Sequence, residues 1–234
     1  MAIAAIAAPA LAAFWTAFSP DSLYPHTIED GAIEWISSIG FFTGAVVMML
    51  FTRRLYRQEF LSEWTHWIFP VFWVAALLFM AGEEISWGQR LFDLGVDEGI
   101  LDANRQQETN IHNLEIVYRV VGGDAFFMAV IEFGLCLALP ILGLLKVIGD
   151  LAVKFRFPIP PLAMAPLFLG TNVYNRHFSQ YFVNRGFERS ATPEVAELLI
   201  AIGLAGIALF FFWFPHLAFG SYRTNSKFAD IRWD

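Results

Sequence analysis

Apolar residues fill this chain in long unbroken blocks, and polar residues gather in short clusters between them. Six blocks stand out, at about 2–18, 32–51, 65–82, 123–147, 160–175 and 194–218. A helix needs about 20 residues to cross a bilayer, so each block is close to the length of one span. The blocks are continuous rather than alternating, which points to helices and away from the strands of a barrel. The pattern predicts an all-α integral membrane protein with one membrane domain over 1–234. That domain is a bundle of about six transmembrane helices, with a long outer loop between helices 3 and 4. The first block, "MAIAAIAAPALAAFWTAF", lacks the basic start of a signal peptide and reads as a retained first membrane helix, interrupted at Pro9. The fifth, within "PIPPLAMAPLFLGTNVYN", is rich in proline and is expected to be short or broken.

Lysine and arginine near the block ends orient the bundle. Arg53, Arg54 and Arg57 follow the second block, Lys146, Lys154 and Arg156 the fourth, and Arg223, Lys227 and Arg232 the sixth. In a six-span chain these segments share one side, which is then cytoplasmic together with both termini. They hold nine basic residues against five acidic ones, a net of +4, whereas the opposite segments hold six against sixteen, a net of −10. Glu132, inside the fourth block, completes the formal charge of −7. A bacterial inner (plasma) membrane is the expected location.

Composition agrees with this picture. The chain is 57% hydrophobic and 16% charged, against about 25% charged in soluble domains. The single cysteine, Cys136, lies in an apolar block, so neither an intramolecular disulfide nor a cysteine metal site is expected. An acidic chain without a basic stripe excludes nucleic acid as a partner. The lipid bilayer is the expected surrounding, and other membrane subunits are a further class of partner. The aromatic residues are expected mainly in packing and anchoring, with "LFFFWF" of the sixth block facing lipid.

The outer side collects the candidate chemistry. In "AGEEISWGQR", Glu83 and Trp87 share a helical face, Arg90 follows three residues later, and Glu84 points about 100° away. Two adjacent carboxylates in low dielectric call for a raised pKa or a cation. The competing explanation leaves both wet at the headgroup level, with Trp87 as an interface anchor. Glu108 and His112, in "ETNIHN", have the spacing of two ligands on one metal or of an oriented acid–base pair, or of a hydrogen-bonded loop. Arg176, His177, Arg185, Glu188 and Arg189 form a third cluster, suited to a phosphate or carboxylate and equally to structural ion pairs. Thr192-Pro193-Glu194 reads as a helix start, which accounts for Glu194 but not for Glu197 one turn deeper. Asp30 and Glu34 open the second block, and Glu132 lies deep in the fourth. A buried membrane carboxylate is functional or paired.

The order "EDGAIEW", "GEEISWGQRLF", "QQETNIHNL", "PEVAELLIAIG" resembles a family of bacterial multi-pass membrane proteins over about residues 24–210. That resemblance implies a multi-pass membrane protein and no particular activity. Membrane hydrolases of the alkaline ceramidase type are a poorer comparison, because their arrangement of serine, aspartate and three histidines is absent here.

The expected function is an outward-facing polar site that does metal-assisted or acid–base chemistry on a lipid or lipid-linked substrate. Glu84, Glu108 and His112 are its expected catalytic residues, and Arg90, Arg176 and Arg185 would bind substrate. A divalent metal ion would be held among Glu34, Glu83, Glu84, Glu108, His112, His177 and Glu197. The alternative is a non-catalytic subunit of a larger membrane complex, structural or associated with a pigment or other cofactor. A small transporter is the third reading, although the cytoplasmic side offers little polar path.

Overall fold

A computed structural model of the chain describes residues 2–28, 31–89, 92, 98–104, 109, 111, 114–121, 129–186 and 191–219. Among these the protein is helical, without a strand, and only Asn104 and Leu114 form an isolated bridge. Seven helices build the bundle and its polar end. They are α1 (Ala2–Phe18), α2 (Ala32–Arg57), α3 (Ile68–Glu84), α4 (Val130–Leu142), α5 (Lys146–Lys154), α6 (Ala165–Asn184) and α7 (Ala191–Trp213). Each of the six apolar blocks therefore contains a helix.

Crossing a membrane asks for more than a helix. α2, α7 and α3 with its leading turn from Trp64 are long and apolar enough to span. Two bent pairs raise the count to five if each is one span. α1 turns by 110° into Pro20–His26, and α4 turns by 106° into Lys146–Phe155. The fourth block thus does not run straight to 147: the helix continues past Pro140 to Leu142, Gly143 caps it, and the chain turns before α5 starts at Lys146. α6 runs to Asn184, well past the expected end at 175, and its second half is too polar to qualify.

Contacts fix the helix directions. A Cβ on Gly40 would stand 3.2 Å from Ala201 Cβ, and one on Gly44 would stand 3.4 Å from Ala205 Cα, so α2 and α7 run parallel. Ser38 Oγ donates to the Ala81 carbonyl at 2.8 Å while Gly44 meets Leu77, so α3 runs against α2. Gly203 meets the Phe168 ring and Gly206 meets Met164, so α6 opposes α7. α1 lies parallel to α6: Pro9 packs on Gly170, Thr16 Oγ1 and Tyr174 OH share a hydrogen bond at 2.8 Å, and Tyr181 OH donates to the Ala17 carbonyl at 2.9 Å. α4 meets α6 at Glu132–Asn172 and the following turn at Gly143–Ile159, which sets α4 against α6. Thus α1, α3 and α6 point one way, and α2, α4 and α7 the other.

The core lies between α2, α3 and α7, where Phe41, Met48, Phe51, Leu77 and Ile207 are buried. Phe211 is fully buried, stacked on Phe51 at 5.9 Å and edge-on to Trp73 at 6.1 Å. The "LFFFWF" run is therefore divided: Trp213 and Phe214 are exposed as expected for lipid, but Phe211 belongs to the core. Small residues line the α2–α7 seam because lipid tails are as apolar as leucine, and close backbone approach is what holds membrane helices together. At one end of the bundle Arg156 lies 3.9 Å from the centre of the Phe60 ring. Burial draws its guanidinium below the usual arginine range, and Glu63 opposes that.

Candidate functional site

Helix direction brings one end of the bundle together from the N-termini of α2, α4 and α7 and the C-termini of α1, α3 and α6. Among the described residues, Glu34, Glu83, Glu84, Arg176, His177 and Glu197 lie on those segments. Glu34 sits in the first turn of α2, where the helix dipole favours an anion, and Glu197 lies nearly two turns into the parallel α7. By the Gly40–Ala201 register they stand at the same level, and Glu84, at the last turn of α3, belongs to that level too. All three are half-buried and have interactions of their own.

Glu83 is the best-defined member. Its side chain is only 5% exposed, so the expectation of a solvated pair at the headgroup level fails for it. Beyond Glu84 the chain turns back through three left-handed residues, Ser86 (φ 46°), Trp87 (54°) and Gly88 (77°). That turn folds the Trp87 ring over Gly82, where a Cβ would lie 2.8 Å from the ring and has no room. The indole N–H then donates to Glu83 Oε1 at 2.5 Å. Glu83 and Trp87, expected to share a helical face, do meet, but a reversed turn brings them together rather than a continuing helix. The second oxygen, Oε2, accepts the backbone N–H of Ile111 at 2.7 Å, and Thr109 Oγ1 donates to the Ser86 carbonyl. One carboxylate thus fastens "GEEISWG" to the segment that carries "ETNIHN".

α6 supplies the cationic side. Arg176, His177 and Arg185 are exposed on its C-terminal half, and Arg185, the residue that caps the helix, is where positive charge suits the dipole. Arg185 stacks on Tyr181, 4.6 Å from the ring centre, and His177 meets the Phe178 ring edge-on at 5.1 Å. A groove of about 320 Å³ runs between α1 and α6 past Pro9, Ala13, Gly170 and Val173, and ends at His177. Its walls are almost wholly apolar, the lining that suits a hydrocarbon chain.

Glu132 lies on α4, across from α6. It is 1% exposed, on a nine-residue stretch of π-helix, Val130–Ala138, that leads up to Pro140. Asn172 Nδ2 of α6 donates to its Oε2 at 2.8 Å. The sequence marks Glu132 as costly, but nothing in it singles out Asn172, forty residues on, as the partner.

Arg90, Glu108, His112, Glu188 and Arg189 lie outside the described residues. Among the described residues no three His, Cys, Asp or Glu side chains gather closely enough to hold a metal ion. His177 stays on the α6 surface beside its groove, and Glu83 has both oxygens bound to N–H donors. Comparison with family models, with curated proteins and with solved structures gives no match.

Proposed function

We propose that this chain is a six-span protein of the bacterial inner membrane, with both termini cytoplasmic, whose polar end faces outward. There it holds the headgroup of a lipid or lipid-linked substrate and works on it by acid–base or metal-assisted chemistry. The observation that carries this reading is the segregation of Glu34, Glu84 and Glu197 with Arg176, His177 and Arg185 at one end. The alternating helix directions support six crossings, with α6 as the polar one. The groove ending at His177 supports a hydrocarbon-bearing substrate, its acyl chain against α1 and α6 and its anionic group near Arg176. In this reading Glu108 and His112, covalent neighbours of the fastened Thr109 and Ile111, form the acid–base pair. A divalent ion shared with Glu84 would neutralise clustered carboxylates and polarise a phosphoryl or carbonyl oxygen.

The test is elemental analysis of the detergent-purified protein beside His112→Ala and Glu84→Gln. Near-stoichiometric metal lost in both variants, from folded protein, upholds the metal branch. Absent metal, together with unchanged retention of co-purified phospholipid in Arg176→Gln, overturns the proposal. One observation favours a second reading, a subunit of a larger membrane complex: Glu83 is spent on internal hydrogen bonds, as in a scaffold. Stable co-purifying membrane proteins without lipid turnover would select it.

A further inference from the structure

Glu132 does something the outer site does not require. Its Oε2 accepts from Asn172, while its Oε1 is buried and among the described residues has no hydrogen-bond partner. A carboxyl held in hydrocarbon with one oxygen open is poised to take a ligand. The surroundings choose which one. Asn172 presents its N–H rather than its oxygen, and Arg176, one turn on, lies within electrostatic reach. An amide N–H and a guanidinium offer no further ligand to a metal ion, whereas a proton needs only the open oxygen. Cys136, one turn along α4, is a buried thiol and a poor ligand for hard cations. The 3₁₀ turn Leu162–Met164 and the end of α4, Leu139–Leu142, which pack nearby, carry no titratable side chain.

We propose that Glu132 is a proton-binding site within the membrane, loaded and emptied from the polar end of the bundle. A hydronium ion gives its proton to Oε1 and leaves as water, and the reverse step restores the carboxylate. Towards the polar end α6 carries the polar Asn172, Asn175 and Arg176, whereas in the other direction α4 carries only the apolar Leu139, Pro140 and Ile141. The π-helix around the site fits this role, because such widenings recur where a helix serves a function. Proton binding at Glu132 needs neither a metal nor a lipid substrate and stands or falls separately from the outer site.

Infrared difference spectroscopy of the full chain in lipid nanodiscs, titrated with acid and base, tests it. A protonated carboxyl band should disappear between about pH 5 and pH 9 and be missing from Glu132→Gln. The chain's single cysteine gives a second readout without any substitution. The Cys136 S–H band should shift with the same midpoint, since it senses the charge one turn away. Asn172→Leu removes the donor to the anion, so its midpoint should rise by about one unit or more relative to the unaltered chain. A carboxyl band that persists across the range, or an S–H band that never moves, overturns the proposal. If Glu132→Gln fails to fold, a midpoint unmoved by Asn172→Leu overturns it as well.

Discussion

A carboxylate at the end of an apolar helix needs donors, and those of Glu83 include two of very different origin. The Trp87 indole is local, four residues on, while the Ile111 amide comes from the far side of a loop. Glu83→Ala leaves both donors without this acceptor and is expected to cost about 1–3 kcal/mol, read as a fall in thermal unfolding temperature in detergent. Glu83→Gln keeps an acceptor for one donor and should fall less. Gly82→Ala reaches the same contact from the other side, because the added methyl meets the Trp87 ring, and tryptophan emission should shift to the red as the indole becomes hydrated. The nearness of Trp87 to Glu83 was legible in advance, though as a shared face of a continuing helix and not as the reversed turn that joins them. The partner of Glu83 across the loop was not, because a backbone amide leaves no mark in a sequence. The run of positive φ at Ser86 and Trp87 was hidden too, since only Gly88 in that turn announces such a backbone.

At the scale of elements, packing rather than hydropathy decides which helices hold the bundle. Gly203 lies under Phe168, where a Cβ would come within 2.6 Å of the buried ring, whereas Gly134 has nothing within 4 Å. Gly203→Ala should therefore overpack the α6–α7 contact at a cost of about 1–3 kcal/mol, and Gly134→Ala should cost nothing measurable. Parallel thermal melts of the two variants check this, and equal melts would show that α6 and α7 are not closely packed at Gly203. Block positions were legible because apolar runs of span length are rare by accident. The bends after Phe18 and Leu142 were not, because a run of apolar residues records how much surface is buried but not the direction of the axis. α6 was the hardest element to foresee: its buried first half and polar second half average to a segment that looks too weak to be a helix of 20 residues.

For the whole molecule, the testable quantity is which end faces out. Asn184, at the polar end, and Gln58, at the basic end, are both exposed. In intact cells a membrane-impermeant maleimide should label Asn184→Cys and spare Gln58→Cys until the membrane is opened. Cys136 is fully buried and gives no background. The reverse pattern would turn the bundle over and place the Glu34–Glu84–Glu197 end inside. Charge segregation was legible from lysine and arginine placement alone. The candidate site was legible only as an end of the molecule, because which carboxylates are spent on internal hydrogen bonds depends on turns and registers that hydropathy does not encode.

The pairing of α2 with α7 also sets an order in time. These two helices share the most intimate seam of the core, yet one is made early and the other late. With residues 58–190 still to be synthesised at about 5–20 residues per second, the glycine-bearing face of α2 waits for a time on the order of ten seconds. During that interval lipid or the insertion machinery must cover what Ala201 and Ala205 will later cover. A nascent chain stopped before α7 is therefore not a smaller version of this protein but an unfinished one, with its central seam exposed to quality control.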